Sequence, residues 1–275
     1  MMKNKKPTDA YEFMDAIHPG RPWVVTTINP NTGLLETTVF KDDIEAGAGR
    51  GHHRSKHDFR DCISKSDNLN VYFQINPIRE DAFNLTAKPS ADQFAALEWL
   101  QVDCDPQPGQ TPEECKDAVL AEINRIRKEL KLGKVLINDS GNGIQFFLKL
   151  AEPIPIEGDT PEERLAFAKD LGGFSKGLAS MIGEHAEIKE GRVVPKADNC
   201  FNPAHMTRMA LTWNNPTAQK LKNGRVRVET NVIEWPDGAA YPIKLFAKHK
   251  MASNAKVPDG YKGPAFNMHR LTAGQ

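Results

Sequence analysis

Residues 99–106 read Trp-Leu-Gln-Val-Asp-Cys-Asp-Pro, an apolar run that leads into two carboxylates separated by one residue. In a β-strand, residues i and i+2 point to the same face, so this spacing predicts that Asp103 and Asp105 project together from a strand end. Pro106 is expected to stop the strand. Two carboxylates so close repel each other unless a cation lies between them, and Mg²⁺ and Mn²⁺ prefer such hard oxygen ligands. The pattern predicts a divalent-metal site suited to phosphoryl transfer, with a solvated turn as the alternative.

Length and composition are those of an ordinary soluble globular protein. The 275 residues are 39% hydrophobic and 26% charged. They suffice for one large domain or two small ones, with a core that needs no metal or disulfide. The chain has 36 basic and 36 acidic residues and therefore no formal net charge. Any nucleic-acid surface must then be a local one.

Cysteine spacing and hydropathy exclude several classes of protein. The four cysteines form no Cys-x-x-Cys pair, so neither a zinc knuckle nor a disulfide framework is indicated. No apolar run is long enough to span a membrane, and no apolar segment follows the basic start of the chain. We therefore expect a cytoplasmic protein in a reducing compartment, with no membrane partner.

The predicted elements mix strands and helices without a regular βαβ repeat. This succession favours an α+β fold with a mixed or antiparallel sheet. Helices are expected at residues 8–17, 111–131 and 161–182, with Gly133 ending the second of them. A short helix or an extended segment is expected at residues 89–97, and an exposed loop at 45–65. Strands are expected at residues 23–28, 70–77, 135–137 and 144–150.

A second polar segment, residues 138–145, joins two of the predicted strands. It reads Asn-Asp-Ser-Gly-Asn-Gly-Ile-Gln. Its glycines allow backbone N–H groups to converge on an anion, Ser140 adds a hydroxyl, and Gln145 offers an amide to a phosphate or sugar oxygen. Asn-Gly is also the standard signal of a tight hairpin, so an ordinary turn is the alternative.

A third segment, residues 197–216, contains Asp198 and, ten residues later, Arg208. Asp198 could complete a three-carboxylate metal site. Arg208 could neutralise triphosphate charge, because its guanidinium suits bidentate contacts with phosphate. Taken alone, both are ordinary surface residues.

Two basic segments are candidates for contacts with phosphates. Residues 219–227 carry Lys220, Lys222 and Arg225, which suits either a nucleic-acid backbone or a solvated charged hairpin. Residues 51–57 contain Arg54 and Lys56 among three histidines, but no Cys or carboxylate lies at a zinc-binding spacing. We predict a basic loop there that reaches nucleotide or template phosphates.

Four motifs follow one another along the chain. They are Asn-Val-Tyr-Phe-x-x-Asn-Pro (70–77), Val-Asp-x-Asp-Pro (102–106), Asp-Ser-Gly-Asn-Gly-x-Gln (139–145) and Asp-x₉-Arg-x₃-Thr-x-Asn (198–214). In this order and at these separations, they resemble the archaeo-eukaryotic primase superfamily, in particular the primase-polymerase domains of bacteriophages and plasmids. The similarity runs from about Val71 to Arg227, which is most of the chain.

The resemblance implies an RNA-recognition-motif-like sheet with an additional α/β module. It implies a catalytic domain at residues 1–250. Residues 251–275 contain Gly, Pro, Lys and Asn with little periodicity, which predicts a tail or linker. Two divalent ions, Mg²⁺ or Mn²⁺, are expected on Asp103, Asp105 and Asp198. The residues expected to hold the incoming nucleotide are Ser140, Gly141, Gly143, Gln145, Arg208 and Asn214. Candidates for nucleic-acid or phosphate contact are Arg54, Lys56, Lys220, Lys222 and Arg225.

The chain departs from the family's pattern in the nucleotide-binding motifs. Many relatives have a histidine where this chain has Gln145. In the motif at residues 198–214, relatives often have an arginine at the position of His205 and a Pro-Gly pair at Ala210 and Leu211. Loss of that arginine would weaken nucleotide binding, or make it depend on pH if His205 serves as the cation.

We therefore expect a template-dependent nucleotidyl transferase that synthesises primers on single-stranded DNA from nucleoside triphosphates by a two-metal mechanism, with primer extension left open. The alternatives are a catalytically degenerate primase-fold module that binds single-stranded DNA in replication initiation, and a metal-dependent nuclease. A replicative helicase, in cis or in trans, is a further expected partner. The resemblance also suggests a phage, prophage or plasmid gene in a bacterial host.

Overall fold

The run that leads into the two carboxylates is a buried strand at the edge of a sheet. The computed structural model describes residues 5–49, 52–83, 87–182, 195–198, 201–222 and 224–252. In it, a four-stranded antiparallel sheet has the order β11–β6–β7–β5. Its strands are β5 (Ala96–Cys104), β6 (Leu136–Asp139), β7 (Ile144–Pro155) and β11 (Asn231–Glu234). Asp105 and Pro106 therefore follow directly on the end of β5.

A second sheet has five strands in the order β3–β2–β1–β4–β8. Only the pair of β2 and β3 is parallel. The strands are β1 (Trp23–Ile28), β2 (Leu35–Lys41), β3 (His53–Ser55), β4 (Asn70–Gln74) and β8 (Met206–Arg208). Two short strands, β9 (Trp213–Asn214) and β10 (Val228–Glu229), form an antiparallel ribbon. The predicted α+β class with mixed and antiparallel sheets is confirmed.

Five helices complete the described part of the chain. They are α1 (Ala10–Ile17), α2 (Phe59–Ser64), α3 (Pro112–Leu130), α4 (Pro161–Ser180) and α5 (Ala218–Lys222). Thr111 and Thr160 begin α3 and α4 with complete capping boxes and a proline in the first turn. A cap of this kind stabilises a helix by about 1 kcal/mol, which explains why the sequence predicts these two helices well.

The alternation of side chains along β5 separates two hydrophobic clusters. Leu100, Val102 and Cys104 belong to a cluster that includes the apolar faces of α3 and α4. Trp99 belongs to a second cluster, shared with α1 and the five-stranded sheet. Since i and i+2 side chains share a face, Asp103 lies on the face of Trp99 and points toward the five-stranded sheet.

The prediction of an exposed loop at residues 45–65 is wrong for its second half. His53–Ser55 forms β3, which pairs in parallel with β2, and a 3₁₀ turn at Lys56–Asp58 leads into α2. Phe59 is fully buried. A three-residue strand has no periodicity of its own, and its pairing with β2 is what orders this segment.

Smaller differences concern helix ends and one missed strand. Residues 89–97 contain only a 3₁₀ turn, Ala91–Gln93, before β5 begins. Lys131 ends α3 in the left-handed conformation (φ 55°), two residues before the predicted stop at Gly133. Strand β2 was not predicted, and the basic segment 219–227 contains α5 rather than a hairpin.

Some predictions fall outside what the structure describes. Of the predicted tail at 251–275, only Met251 and Ala252 lie within the described residues. Among the described residues, no helix has the length and apolar character needed to cross a membrane.

Candidate active site

Asp103 is fixed by the strand beside it. It lies opposite Gln145 of β7, whose Nε2 donates a hydrogen bond of 3.0 Å to Asp103 Oδ2. His205 Nε2 lies 4.0 Å from the same oxygen. Asp103 Oδ1 is buried and has no hydrogen-bond partner among the described residues. Gln145 therefore orients the carboxylate and leaves one of its oxygens free for another ligand.

Asp105 forms an ion pair with Arg225. The Nη1 atom of Arg225 donates to Asp105 Oδ2 at 3.0 Å, and both side chains are only partly exposed. The two residues lie 120 positions apart in sequence. The second carboxylate of the predicted metal pair thus has a basic partner that sequence spacing could not indicate.

Asp198 lies beside the other two carboxylates. Its backbone N–H donates to the Asp103 carbonyl at 2.8 Å. Partial burial raises the pKa of its carboxyl to about 6, and the negative charges of Asp105 and Asp103 add to this effect against the opposing charge of Arg225. An electrostatic effect of this kind requires proximity. Aspartates predicted from two separate motifs are thus neighbours in the fold, joined by the backbone hydrogen bond between Asp198 and Asp103.

The oxygen atoms available at this place fit a hard divalent cation. Asp103 Oδ1 is an orphaned buried acceptor, and desolvation, with a smaller contribution from the charges of Asp105 and Asp103, raises the pKa of Asp198. As they stand, no three His, Cys, Asp or Glu side chains within the described ranges converge closely enough to hold an ion. Arg225 occupies an oxygen of Asp105, so a bound cation would have to compete with it.

The turn between β6 and β7 packs tightly against the end of β5. A side chain at Gly143 would overlap the carbonyl oxygen of Cys104, and Gly141 has φ +98° with Val228 and Asn214 in the way of any Cβ. Ser140 Oγ accepts from the Gly143 N–H at 3.2 Å. The two glycines therefore allow close packing, and Ser140 keeps a hydroxyl proton for a ligand.

Arg208 of β8 lies on the opposite wall. Its guanidinium stacks on the ring of Tyr72 at 4.4 Å, and its Nη1 is buried without a hydrogen-bond partner among the described residues. Burial lowers the pKa of Arg208, against the raising effect of Tyr72, Asp103 and Asp105. A buried guanidinium with an unused N–H is ready to bind an anionic oxygen.

The backbone at Leu211 has an unusual conformation. Its φ is +62°, in the left-handed region that glycine adopts without strain. Met209 and Ala210, which precede it, are fully buried.

Most of these groups face one cleft of about 210 Å³ between the two sheets. Asp198, which is exposed, and the two glycines Gly141 and Gly143 are not part of its lining. Four cationic side chains and two carboxylates line it. The lining comprises Ile28, Tyr72, Lys88, Asp103, Asp105, Ser140, Gln145, His205, Met206, Arg208, Asn214, Lys220 and Arg225. Tyr72 and Lys88 were missed as site residues, although Tyr72 lies in the first of the four motifs and so had a signal in the sequence.

Other predicted residues lie outside the lining. Lys56 is buried, its Nζ pairs with Asp42 at 2.8 Å, and it lies over the ring of Trp23 at 4.6 Å. It is therefore not available to phosphate, which corrects the prediction. Arg54 is exposed on β3, at the opposite edge of the five-stranded sheet from β8. Lys222 is exposed on α5 beside the cleft residue Lys220.

Comparisons with known proteins find similarity only at the level of solved structures. No protein-family model and no curated protein matches the chain. The AEP domain of the cyanophage S-2L primase-polymerase aligns over 90% of this chain and 99% of its own, with 11% identity and a TM-score of 0.48. The catalytic domain of primase RepB′ in complex with initiator DNA aligns over 87% and 91%, with 11% identity and a TM-score of 0.47. The polymerase domain of Mycobacterium tuberculosis ligase D in complex with DNA aligns over 87% and 85%, with 10% identity and a TM-score of 0.45.

The predicted resemblance to primase-polymerase domains is thereby confirmed as a likeness to solved structures. Identities this low and TM-scores below 0.5 carry no argument about activity. Function has to be derived from the cleft itself.

Proposed function

We propose that the chain is a metal-dependent nucleotidyl transferase that synthesises primers on a single-stranded DNA template from nucleoside triphosphates. One observation carries the proposal. Asp103 and Asp105 line a cleft whose other charged groups are cationic, and the Asp198 backbone N–H donates to the Asp103 carbonyl at 2.8 Å. Carboxylates beside cations suit a ligand that combines a polyphosphate with divalent metal.

Asp103, Asp105 and Asp198 would hold the divalent ions, Mg²⁺ or Mn²⁺. When bound, such ions lower the pKa of an attacking hydroxyl and neutralise the polyphosphate and its leaving group. Gln145 holds Asp103 in a fixed orientation through its 3.0 Å hydrogen bond. This preorganisation contributes to catalysis because the carboxylate does not have to be reoriented during the reaction.

The cationic wall of the cleft would bind the triphosphate. Arg208 presents a buried N–H without a partner among the described residues, and its stack on Tyr72 fixes the guanidinium plane. Lys88 and Lys220 line the same cleft. Ser140 can donate its hydroxyl proton to a ligand oxygen. In this proposal Arg225 transfers from Asp105 to a phosphate oxygen when metal and nucleotide bind.

A pure single-strand-binding module is the second candidate. The Arg225–Asp105 ion pair favours it, since it neutralises one carboxylate without any metal. The orphaned oxygen of Asp103 argues against it, because clustered negative charge repels a phosphate backbone unless a cation is present. A helicase partner and a phage or plasmid origin remain predictions that rest on the resemblance.

Template-directed synthesis tests the proposal. Wild type and the Asp103→Asn/Asp105→Asn variant are incubated with single-stranded DNA, labelled nucleotides and Mn²⁺ or Mg²⁺, with and without a primer. Short products from the wild type alone in the absence of primer are expected. Products only with a primer would make the chain a polymerase that cannot initiate. No product with intact single-strand binding would favour the binding module, and loss of DNA without nucleotides would indicate a nuclease.

A further inference from the structure

The connection between β9 and β10 forms a surface beside the cleft, of which the proposed chemistry uses only Lys220 and Arg225. It contains α5 and a return turn. The N–H groups of Gly224 and Arg225 donate to the carbonyls of Leu221 and Lys220, each at 3.0 Å. These bonds bring Arg225 back beside Lys220, and both side chains line the cleft. The surface is therefore continuous with the cleft mouth.

A guanidinium plane is held in place on this surface. Arg227 lies 3.8 Å from the centre of the Trp213 ring. Its Nε donates to Asn215 Oδ1 at 2.9 Å, and its Nη2 donates to the Asp67 carbonyl at 3.2 Å. The residue is nevertheless exposed. We call this pair the Trp213–Arg227 platform; its fixed, solvent-facing plane is of the kind on which nucleobases stack.

Two exposed apolar side chains lie next to the platform in the chain. Leu221 is 52% exposed and Val226 is 59% exposed. A single exposed apolar residue needs no explanation. Here, however, two of the five strongly exposed large hydrophobic residues in the described chain fall within six positions. They alternate with Lys220, Lys222 and Arg225, in a protein whose net charge is zero.

This composition fits one class of partner. The cations match phosphates, while the guanidinium plane and the apolar side chains match the faces of bases. Base faces are accessible only in an unpaired strand, because in a duplex they are stacked inside the helix. We infer that Leu221, Val226 and the Trp213–Arg227 platform bind the bases of the single-stranded template at the mouth of the cleft. The inference rests on the proposed function and adds the path of the strand.

Fluorescence anisotropy with a labelled single-stranded oligonucleotide tests the inference across a series of salt concentrations. Arg227→Lys keeps the charge but removes the stacking plane, so affinity should fall about tenfold with an unchanged salt slope. The Leu221→Ala/Val226→Ala variant should behave in the same way. Lys222→Gln should instead reduce the magnitude of the logarithmic salt slope by about 0.7.

Leu34 provides the matched control. It is 73% exposed in the turn before β2, so Leu34→Ala removes an apolar side chain that is more exposed than Leu221 or Val226 and lies outside this surface. It should bind the strand as the wild type does. Wild-type affinity in Arg227→Lys and in Leu221→Ala/Val226→Ala, with thermal unfolding showing both to be folded, would overturn the inference. Binding is measured without nucleotides, so that result would not argue against the proposed synthesis. Conversely, a failure of synthesis would not argue against this binding site for the strand.

Discussion

Arg225 Nη1 lies 3.0 Å from Asp105 Oδ2, so an arginine near the end of the described chain neutralises one carboxylate of the candidate metal pair. The pair is only partly exposed. A divalent cation bound at Asp105 would therefore have to compete with this arginine for the same oxygen. Under the proposed function, binding of metal and nucleotide releases Arg225 from Asp105 so that it can contact a phosphate. The position of the Arg225 side chain then depends on whether these ligands are bound.

Removal of Arg225 is expected to have opposite effects on the two ligands. Arg225→Gln takes away the competitor for Asp105, and a partly exposed ion pair contributes roughly 1 kcal/mol, so Mn²⁺ alone should bind about fivefold more tightly. The KM for nucleotide should rise about tenfold, because a charged contact with phosphate is lost. Calorimetric titration with Mn²⁺ and steady-state kinetics measure the two effects.

Arg79→Gln is the control for this experiment. Arg79 also pairs with an aspartate, Asp81, but does not line the cleft. It should change neither quantity. Unchanged or weaker Mn²⁺ binding in Arg225→Gln would mean that the arginine does not compete with metal at Asp105.

Gln145 is expected to act on turnover rather than on nucleotide affinity. Its buried amide donates to Asp103 Oδ2, and a hydrogen bond to a charged group contributes about 1.5–3 kcal/mol. Gln145→Leu should lower kcat by about tenfold to a hundredfold and leave the KM for nucleotide within about threefold. Gln145→His still offers an N–H and should recover part of the activity. A large rise in KM at constant kcat would instead place Gln145 on the nucleotide.

Gly143 is expected to contribute mainly to the stability of the fold. A methyl group there overlaps the Cys104 carbonyl oxygen, so Gly143→Ala should lower the free energy of unfolding by about 3 kcal/mol. At Gly133 the nearest atom to an added Cβ lies 3.5 Å away, and Gly133→Ala should be nearly neutral. Urea denaturation compares the two variants. Equal stability would show that the turn can shift without cost.

His18 is expected to make stability depend on pH. Burial lowers its pKa to about 4, although its Nε2 donates to the Gln74 carbonyl at 2.7 Å. An unfolded histidine takes up its proton near pH 6.5, so the unfolded state binds more protons between pH 6.5 and 4. Stability is therefore full above pH 6.5, falls as the pH drops toward 4, and levels off below.

The size of this effect can be isolated by substitution. Between pH 7 and 5, the wild type should lose about 2 kcal/mol more than His18→Gln, in which no group titrates at that position. Urea denaturation at both pH values measures the difference. An equal loss in both proteins would mean that His18 is protonated inside the folded state.

Local patterns predicted the parts of the fold that local forces determine. The apolar run before Asp103 and Asp105 predicted a strand end, and the capping box at Thr111 predicted the start of α3. Pairing between distant segments was beyond such patterns. Lys56 was predicted to be a surface cation. Its ion pair with Asp42 depends on the pairing of β3 with β2, which no local pattern indicates.

The residues of the candidate site likewise fall into those that a local motif indicates and those that only the tertiary fold brings together. Its carboxylates, Ser140 and Arg208 were found because each lies in a motif with a chemical rationale. The Arg225–Asp105 ion pair joins residues 120 positions apart, and no spacing rule connects them. The stack of Arg208 on Tyr72 likewise depends on the register between β4 and β8.

The central claim is that Asp103, Asp105 and Asp198 together hold divalent metal beside a nucleotide. Anomalous diffraction from crystals grown with Mn²⁺ and a non-hydrolysable nucleoside triphosphate tests it most directly. The account predicts Mn²⁺ peaks among these three carboxylates, with Arg225 moved from Asp105 to a phosphate oxygen, and no such peaks in Asp103→Asn/Asp105→Asn. A wild-type crystal with the nucleotide in the cleft, Arg225 still on Asp105 and no Mn²⁺ between the carboxylates would contradict it.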